Sequence, residues 1–223
     1  MKTVQDFLSE LHLDLAQPPT SPYKMQRILE LSGESVLDVG CRDGSYVAFC
    51  RALGKRAIGL DLSLSAVLAS ANPPIVYADA QTLPFPDSSF DTVLMFDVLE
   101  HVPDDELGLG EAARVGRKNI LLSLPKPDNP RVFNPWNGLT YGHYRDLTHL
   151  RYYPPERIHR MAERLGCCMT VLDHWCPVHP ADVYIGAGLP RLIGRLADRI
   201  MWMLVRDRLS LMRCLFVEVS LGR

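Results

Sequence analysis

Val36–Tyr46 reads VLDVGCRDGSY. An apolar run carries Asp38 near its end, and Gly40 and Gly44 follow, with Cys41, Arg42 and Asp43 between them. Glycine takes positive φ and lets a ligand close on the backbone. If the apolar run is a strand and Ser45 opens a helix, the free N–H groups of that helix point to the same place. Asp61 ends the next apolar run, 23 residues after Asp38. An acid at that distance is where a ribose diol finds its acceptor. Asp79 closes a third apolar stretch, between Ala78 and Ala80. Together these residues describe a site for a nucleoside-containing ligand. The spacing Gly40-x-x-x-Gly44 lacks the G-x-G-x-x-G of dinucleotide sites, which argues against a nicotinamide cofactor. An ordinary strand-to-helix turn is the plainer alternative, but it gives no reason for Asp61 at its expected place.

A second set of chemical groups is in Tyr141–Tyr153, YGHYRDLTHLRYY. It offers His143, Asp146, His149 and Arg151, with tyrosines at 141, 144, 152 and 153. Histidine is the commonest general base near neutral pH, so His149 and His143 are the candidates for proton transfer. The competing role for His149 and Asp146 is to tie this segment down by hydrogen bonds. The spacing of His143, Asp146 and His149 is not a zinc pattern, and the group His174, Cys176 and His179 has no second pair. No metal site is expected from either. His101, after Glu100, reads as a residue that orients its own turn.

The elements that must hold these groups follow from periodicity and turn residues. Apolar spacing over Val4–Leu15 predicts a helix, broken by Gln17-Pro-Pro-Thr-Ser-Pro22. Tyr23–Leu31 is a second helix, stopped by Ser32-Gly33. Strands are expected at Ser35–Val39, Arg56–Leu60, Ile75–Ala78, Phe90–Phe96, Asn119–Leu124, Cys168–Leu172 and Leu211–Leu221. Helices are expected at Ser45–Leu53, Ser63–Ser70, Asp104–Val115 and Pro154–Leu165, with Ser63 able to cap its own helix. Strands alternating with helices of about ten residues give an α/β fold, a parallel sheet with helices on both faces. Pro125–Tyr153 interrupts this rhythm. A loop of that length in a compact fold is expected to cover a site.

Over Ser35–Leu124 the chain resembles the class I S-adenosylmethionine-dependent methyltransferases, in particular their small-molecule branch. VLDVGCRDG is similar to the family's first motif, GLDLS to its second, ADAQTLPFPDSSFD to its third, and FDVLEHV to the segment after the fourth strand. PPERIHRMAERLGC resembles the helix before the sixth strand. The resemblance implies a Rossmann-like doubly wound sheet, mostly parallel with an antiparallel last strand, and S-adenosylmethionine as cofactor. It implies that Asp38, Gly40 and Gly44, with Cys41 and Arg42 in the turn, frame the methionine part. Asp61 would take the ribose hydroxyls and Leu62 would pack near the adenine. Asp79 would accept from the adenine amino group with Ala80 beside it, and Phe96 would meet the methionine end. The reaction implied is methyl transfer to a small-molecule acceptor, at oxygen, with Pro125–Tyr153 as a lid. Arg42 departs from the pattern, which has glycine there. Either Arg42 adopts a compatible conformation, or the turn is damaged and the protein is a non-catalytic binding protein on the same fold.

Composition sets outer limits. The chain has 223 residues, 47% hydrophobic and 22% charged, with a formal net charge of −2. That suits one domain over 1–223: N-terminal helices in 1–33, a cofactor-binding core in 34–124, the lid in 125–153 and a C-terminal part in 154–223. Nothing in the overall charge calls for nucleic acid. Six scattered cysteines make no framework and read as reduced, so a cytoplasmic location is expected, and nothing at the N-terminus reads as a signal peptide. Asp87–Glu111 carries eight acids and no lysine or arginine. Negative charge there would favour a sulfonium ligand, although Asp104, Asp105 and Glu106 read as the N-terminus of a helix.

Leu189–Val205 is predicted as an amphipathic helix with apolar residues at 189, 192, 193, 196, 200, 203 and 204. Arg191, Arg195, Asp198 and Arg199 lie largely opposite. Such a helix packs on the sheet, forms a homodimer interface, covers the acceptor pocket or touches a membrane surface. Its uncharged run is far short of the roughly 20 residues that span a bilayer.

Overall fold

The computed structural model describes residues 3–16, 18–69, 74–125, 148–151, 153–177, 190, 192–193, 196, 200 and 212–222. A seven-stranded sheet forms its centre. The strands are β1 (Ser35–Val39), β2 (Arg56–Asp61), β3 (Ile75–Tyr77), β4 (Phe90–Phe96), β5 (Gly116–Pro125), β6 (Cys168–Pro177) and β7 (Met212–Ser220). Their order across the sheet is β3-β2-β1-β4-β5-β7-β6. β1 pairs in parallel with β2 on one side and β4 on the other. β7 lies antiparallel between β5 and β6. This is the expected α/β class, a doubly wound and mostly parallel sheet with one antiparallel strand. Chain direction across the sheet reverses between β1 and β4, the place where open parallel sheets bind ligands.

Alternation along the strands sorts the core into two layers. Leu37, Val39, Val93, Met95, Ile120, Leu122 and Val217 face one way and are fully or almost fully buried. They meet Leu109, Ala112, Ile158, Met161 and Ala162 of helices α5 (Asp105–Val115) and α6 (Pro155–Arg164). Val36, Leu94, Phe96, Leu121 and Phe216 face the other way. They pack under α1 (Val4–Glu10), α2 (Pro22–Leu31) and α3 (Ser45–Ala52). Strands buried on both faces read as near-continuous apolar runs, as Ser35–Val39 and Phe90–Phe96 do. Asp38 has the parity of Val36, so it points to the α1–α3 side.

Helix boundaries follow local chemistry. Thr3 and Asp6 make a reciprocal capping box at the start of α1. α1 ends at Glu10, short of the expected Leu15. His12 turns left-handed at φ 54, and the Leu13 N–H donates back to the Leu8 carbonyl at 3.0 Å. Ser21 caps α2 and Pro22 occupies its first turn. The helix after β2, α4 (Leu64–Ala69), receives the expected hydroxyl cap, since Ser63 Oγ accepts from the Ala66 N–H at 3.3 Å. Asp104 caps α5 by accepting from the Leu107 N–H at 3.0 Å.

Of the predicted helix Leu189–Val205, the described residues Leu192, Ile193, Leu196 and Ile200 are helical, and all four side chains are exposed. The rest of its apolar face lies outside the described residues. No helix among the described residues is long and apolar enough to cross a membrane. Cys41, Cys50, Cys167, Cys168 and Cys214 form no disulfide.

Candidate functional site

The site begins where β1 ends. Gly40, Arg42 and Gly44 have φ of 69°, 50° and 73°. Three left-handed residues at alternate positions fold the chain back within five residues. The turn is tied to the end of β2. Gly40 and Cys41 both donate N–H to the Leu60 carbonyl, at 2.7 and 3.0 Å. The Arg42 N–H donates to Asp61 Oδ2 at 2.7 Å, and Ser63 N–H donates to Oδ1 of the same carboxylate at 2.7 Å. Gly40 has no room for a side chain, because a Cβ there would stand 2.6 Å from Val98 Cγ2. Arg42 takes the left-handed conformation a glycine would take, and its side chain is exposed. The turn is thus intact.

A cavity of about 610 Å³ opens at this edge of the sheet. Asp38, Gly40, Cys41 and Arg42 form one wall, with Asp43, Ser45 and Tyr46 next to them. Thr20 and Lys24 close it from the N-terminal helices, and Phe96 and Asp97 from the end of β4. Glu100, His101 and His149 line it too, with Pro125 and Cys214. Ligand pockets commonly have this size.

The charges in the cavity are unequal. Asp38 is 3% exposed, and its Oδ2 is buried with no hydrogen-bond partner. Burial pushes its carboxyl up to about 8, and Lys24 opposes this shift only in part. Lys24 is itself buried at 5% exposure and pairs with Asp97 Oδ2 at 2.6 Å. Ser123 Oγ donates to the other oxygen of Asp97 at 2.7 Å. Lys24 Nζ also lies 4.9 Å from the centre of the Phe96 ring. Tyr46 meets that ring edge-on at 5.2 Å. The cavity therefore holds one fixed ion pair and one carboxyl waiting for a partner.

The opposite end contains the imidazoles. Leu99–His101 forms a single 3-10 turn after β4. The His101 and His149 rings meet edge-on with centres 4.7 Å apart. Thr148 holds His101 through Nδ1, at 2.9 Å to Oγ1 and 3.3 Å to its carbonyl oxygen. Leu150 N–H donates to the Glu100 carbonyl at 2.8 Å. Arg151 donates to the carbonyls of Val102 and Pro103. Tyr153 is fully buried and its hydroxyl shares its proton between Leu99 O, at 2.8 Å, and Asp105 Oδ2, at 2.9 Å. Asp105 also receives Arg157 at 2.9 Å. Arg151 and Tyr153 are thus fasteners, and His149 is the residue they hold at the cavity.

Among the residues singled out from sequence, the cavity brings together Asp38, Gly40, Cys41, Arg42, Phe96 and His149. Gly44 stands beside it as the N-cap of α3. Asp61, Leu62, Asp79 and Ala80 are on the same carboxyl edge of the sheet but outside the cavity wall. Leu62 is 60% exposed, and Asp79 receives Gln81 through its backbone N–H at 2.8 Å and through its amide. Leu62 and Asp79 form a more open ledge at the ends of β2 and β3, with Ala80 buried behind them. His143 and Asp146 lie outside the described residues, as do His179 and most of the expected lid; of His174 and Cys176 only the backbone is described. Of the acidic run, Asp97 and Glu100 reach the cavity, whereas Asp104–Glu106 start α5.

Lys24, Tyr46 and Asp97 were not expected in the site. Lys24 left a trace in the sequence, since it shares a helix face with Ile28, four residues on, in an otherwise apolar stripe. A lysine there must find a buried anion. Asp97 left none, because its role depends on φ 57° just after β4.

Residues 37–123 match the family described as "Methyltransferase domain". A 27-O-demethylrifamycin SV methyltransferase of Amycolatopsis mediterranei is 34% identical, over 42% of this chain and 38% of its own length. A ubiquinone/menaquinone biosynthesis C-methyltransferase of Hahella chejuensis is 28% identical, over 62% of this chain and 68% of its own. Several curated relatives are spanned over only 36–39% of their length. The structure of a SAM-dependent methyltransferase from Archaeoglobus fulgidus superposes with a TM-score of 0.61 at 17% identity, covering 88% of this chain and 92% of that one. The last comparison speaks for the fold.

Proposed function

We propose that the protein, whose residues 37–123 match a methyltransferase domain, is a class I S-adenosylmethionine-dependent enzyme that transfers a methyl group to a hydroxyl oxygen of a small molecule. The single observation that carries the reading is Asp38: a buried carboxylate oxygen without a partner faces a 610 Å³ cavity beside a glycine turn. A ligand bearing a fixed positive charge and an amino group would satisfy that oxygen. A buried carboxyl without a hydrogen-bond partner is costly otherwise.

The roles follow the chain's own groups. Asp38 would accept from the amino group at the methionine end, with Gly40, Cys41, Arg42 and Gly44 giving backbone close approach. Phe96 would pack against the same end. Asp61 has one backbone N–H on each oxygen, which leaves lone pairs for two ribose hydroxyls. Leu62 and Asp79 would carry the adenine on the open ledge, with Ala80 behind them. S-adenosylmethionine, when bound, supplies a methyl group on an already activated sulfonium. What remains for the protein is orientation, exclusion of water and the acceptor's proton.

His149 is the residue we assign to that proton, in the protein without further ligands. Its support is its position on the cavity wall, next to buried Glu100 and held there by Leu150, Arg151 and Tyr153. His143 is a second candidate for contact with the acceptor. Transfer to oxygen is favoured by this imidazole and by the O-methyl relative of Amycolatopsis mediterranei. The alternative of a non-catalytic fold rested on a damaged turn, and the turn is formed.

The direct test is transfer of a labelled methyl group to a panel of hydroxylated small molecules by the purified protein. The expected product carries an alkali-stable O-methyl ether. Label on carbon, or no transfer by a protein that binds the cofactor, would overturn the acceptor assignment.

A further inference from the structure

Glu100, His101 and His149 each offer one ligand atom, and these atoms lie within 4.8 Å of one another. We propose that these three side chains form a binding site for a divalent transition-metal ion at the mouth of the cavity. Sequence spacing hides it, because Glu100 and His101 are adjacent while His149 is 48 residues from His101. The pairing of Leu150 with Glu100 brings the two segments together.

Three features support a metal over a simple polar cluster. The donors are one carboxylate and two imidazoles, the set of catalytic sites that keep open positions. Metal-bound histidine normally has its other ring nitrogen held by a hydrogen bond, which fixes the tautomer. Thr148 does this for His101: with Nδ1 donating to Thr148, the Nε2 lone pair is free for a ligand. Glu100 is 1% exposed while His101 is exposed, so the site has a buried anchor and an open entry. Ligand atoms at roughly 2.0–2.2 Å from a cation in tetrahedral geometry stand about 3.4 Å apart, so the widest pair here closes by up to about 1.5 Å, shared between two side chains. Two imidazole donors favour zinc, iron, nickel or copper over magnesium, calcium or manganese.

The open positions face the space where an acceptor would lie. A bound cation lowers the pKa of an oxygen it holds. With the cation present, His149 is a ligand, and the acceptor's oxygen is activated by the metal instead of by the imidazole. This consequence rests on the methyl-transfer reading; cation binding itself does not.

The test uses the full chain after dialysis against chelator, titrated with Co²⁺ and followed by its visible d–d absorption, with Zn²⁺ calorimetry alongside. The expected result is one equivalent bound, with binding lost in Glu100→Gln, His101→Ala and His149→Ala. Thr148→Val should weaken it about tenfold, as removal of an orienting partner does. His159→Ala is the control, since His159 pairs with Glu163 on the exposed face of α6, and should change nothing. His101 is exposed, so His101→Ala reads the site without disturbing the core. No stoichiometric Co²⁺ binding, or binding that survives both His101→Ala and His149→Ala, overturns the proposal. S-adenosylhomocysteine binding, measured on the same samples, reads the methyl-transfer assignment separately.

Discussion

Asp38 is the residue whose ionisation separates the folded chain from the unfolded one. Its carboxyl titrates near 3.8 in an ordinary setting and is pushed up to about 8 by burial. Between those values the unfolded chain has released this proton and the folded chain keeps it. Its effect on stability is therefore absent below about pH 4 and grows as an increasing loss up to about pH 8. The expected slope is about 1.4 kcal/mol per pH unit at most. Asp38→Asn should remove that slope, so denaturant melts of the variant and the wild type should diverge steadily from pH 4 to pH 8. Parallel stability curves would show that Asp38 is not held neutral. Binding of a cationic ligand against Asp38 should tighten over the same pH range.

Arg42 is the other residue with a specific expectation. A side chain in the left-handed region costs about 1–2 kcal/mol. Glycine removes that strain but loses about 0.5–1 kcal/mol through its freer unfolded chain. Arg42→Gly should thus gain roughly 0.5 kcal/mol and leave cofactor affinity within a few-fold, read by thermal melts and calorimetry. A large gain in affinity would show that Arg42 obstructs the turn. The placement of Asp38, Gly40, Gly44 and Asp61 at strand ends was legible in the sequence because turn geometry constrains residue type there, whereas the part given to Asp79 came from resemblance. The position of Arg42 was legible but its conformation was not, since φ is decided by the hydrogen bonds from Gly40 and Cys41 to Leu60 and from Arg42 to Asp61.

At the scale of elements, the residues around His149 join the imidazole end of the cavity to the core. Tyr153, the last tyrosine of the expected lid, is fully buried. It acts with Arg151 and Arg157 around Asp105, at the first turn of α5. Tyr153→Phe should cost about 1–2 kcal/mol, the usual price of a lost buried hydrogen bond. If the clasp positions His149, methyl transfer should fall more than stability does. A variant with full activity and unchanged stability would remove the clasp from the account. Strand and helix positions were read correctly where alternation or caps were strong, as at β4, α4 and α5. α1 was read too long because its apolar spacing continues into Leu11, Leu13 and Leu15, which pack on the core beyond the helix. Their burial comes from tertiary contact after the turn at His12, which spacing cannot reveal.

For the whole molecule, the order of strands explains why distant residues share one cavity. β1 and β4 are neighbours although β2 and β3 lie between them in the chain. That crossing brings Val98 against Gly40 and carries Glu100 to the same mouth as Asp38. Alternating strands and helices made the parallel sheet legible. The antiparallel last strand came from resemblance, and its place between β5 and β6 had no local signature in the sequence. The Lys24–Asp97 pair escaped for the same reason: its partners are 73 residues apart and meet only after α2 docks on the sheet.

The central claim is that this cavity and ledge bind S-adenosylmethionine, and calorimetric titration tests it most directly. The wild-type protein should bind S-adenosylmethionine and S-adenosylhomocysteine with micromolar affinity, about −8 kcal/mol, and Asp61→Ala should lose that binding while staying folded. No heat from a folded wild-type protein, or undiminished affinity in Asp61→Ala, would contradict the account.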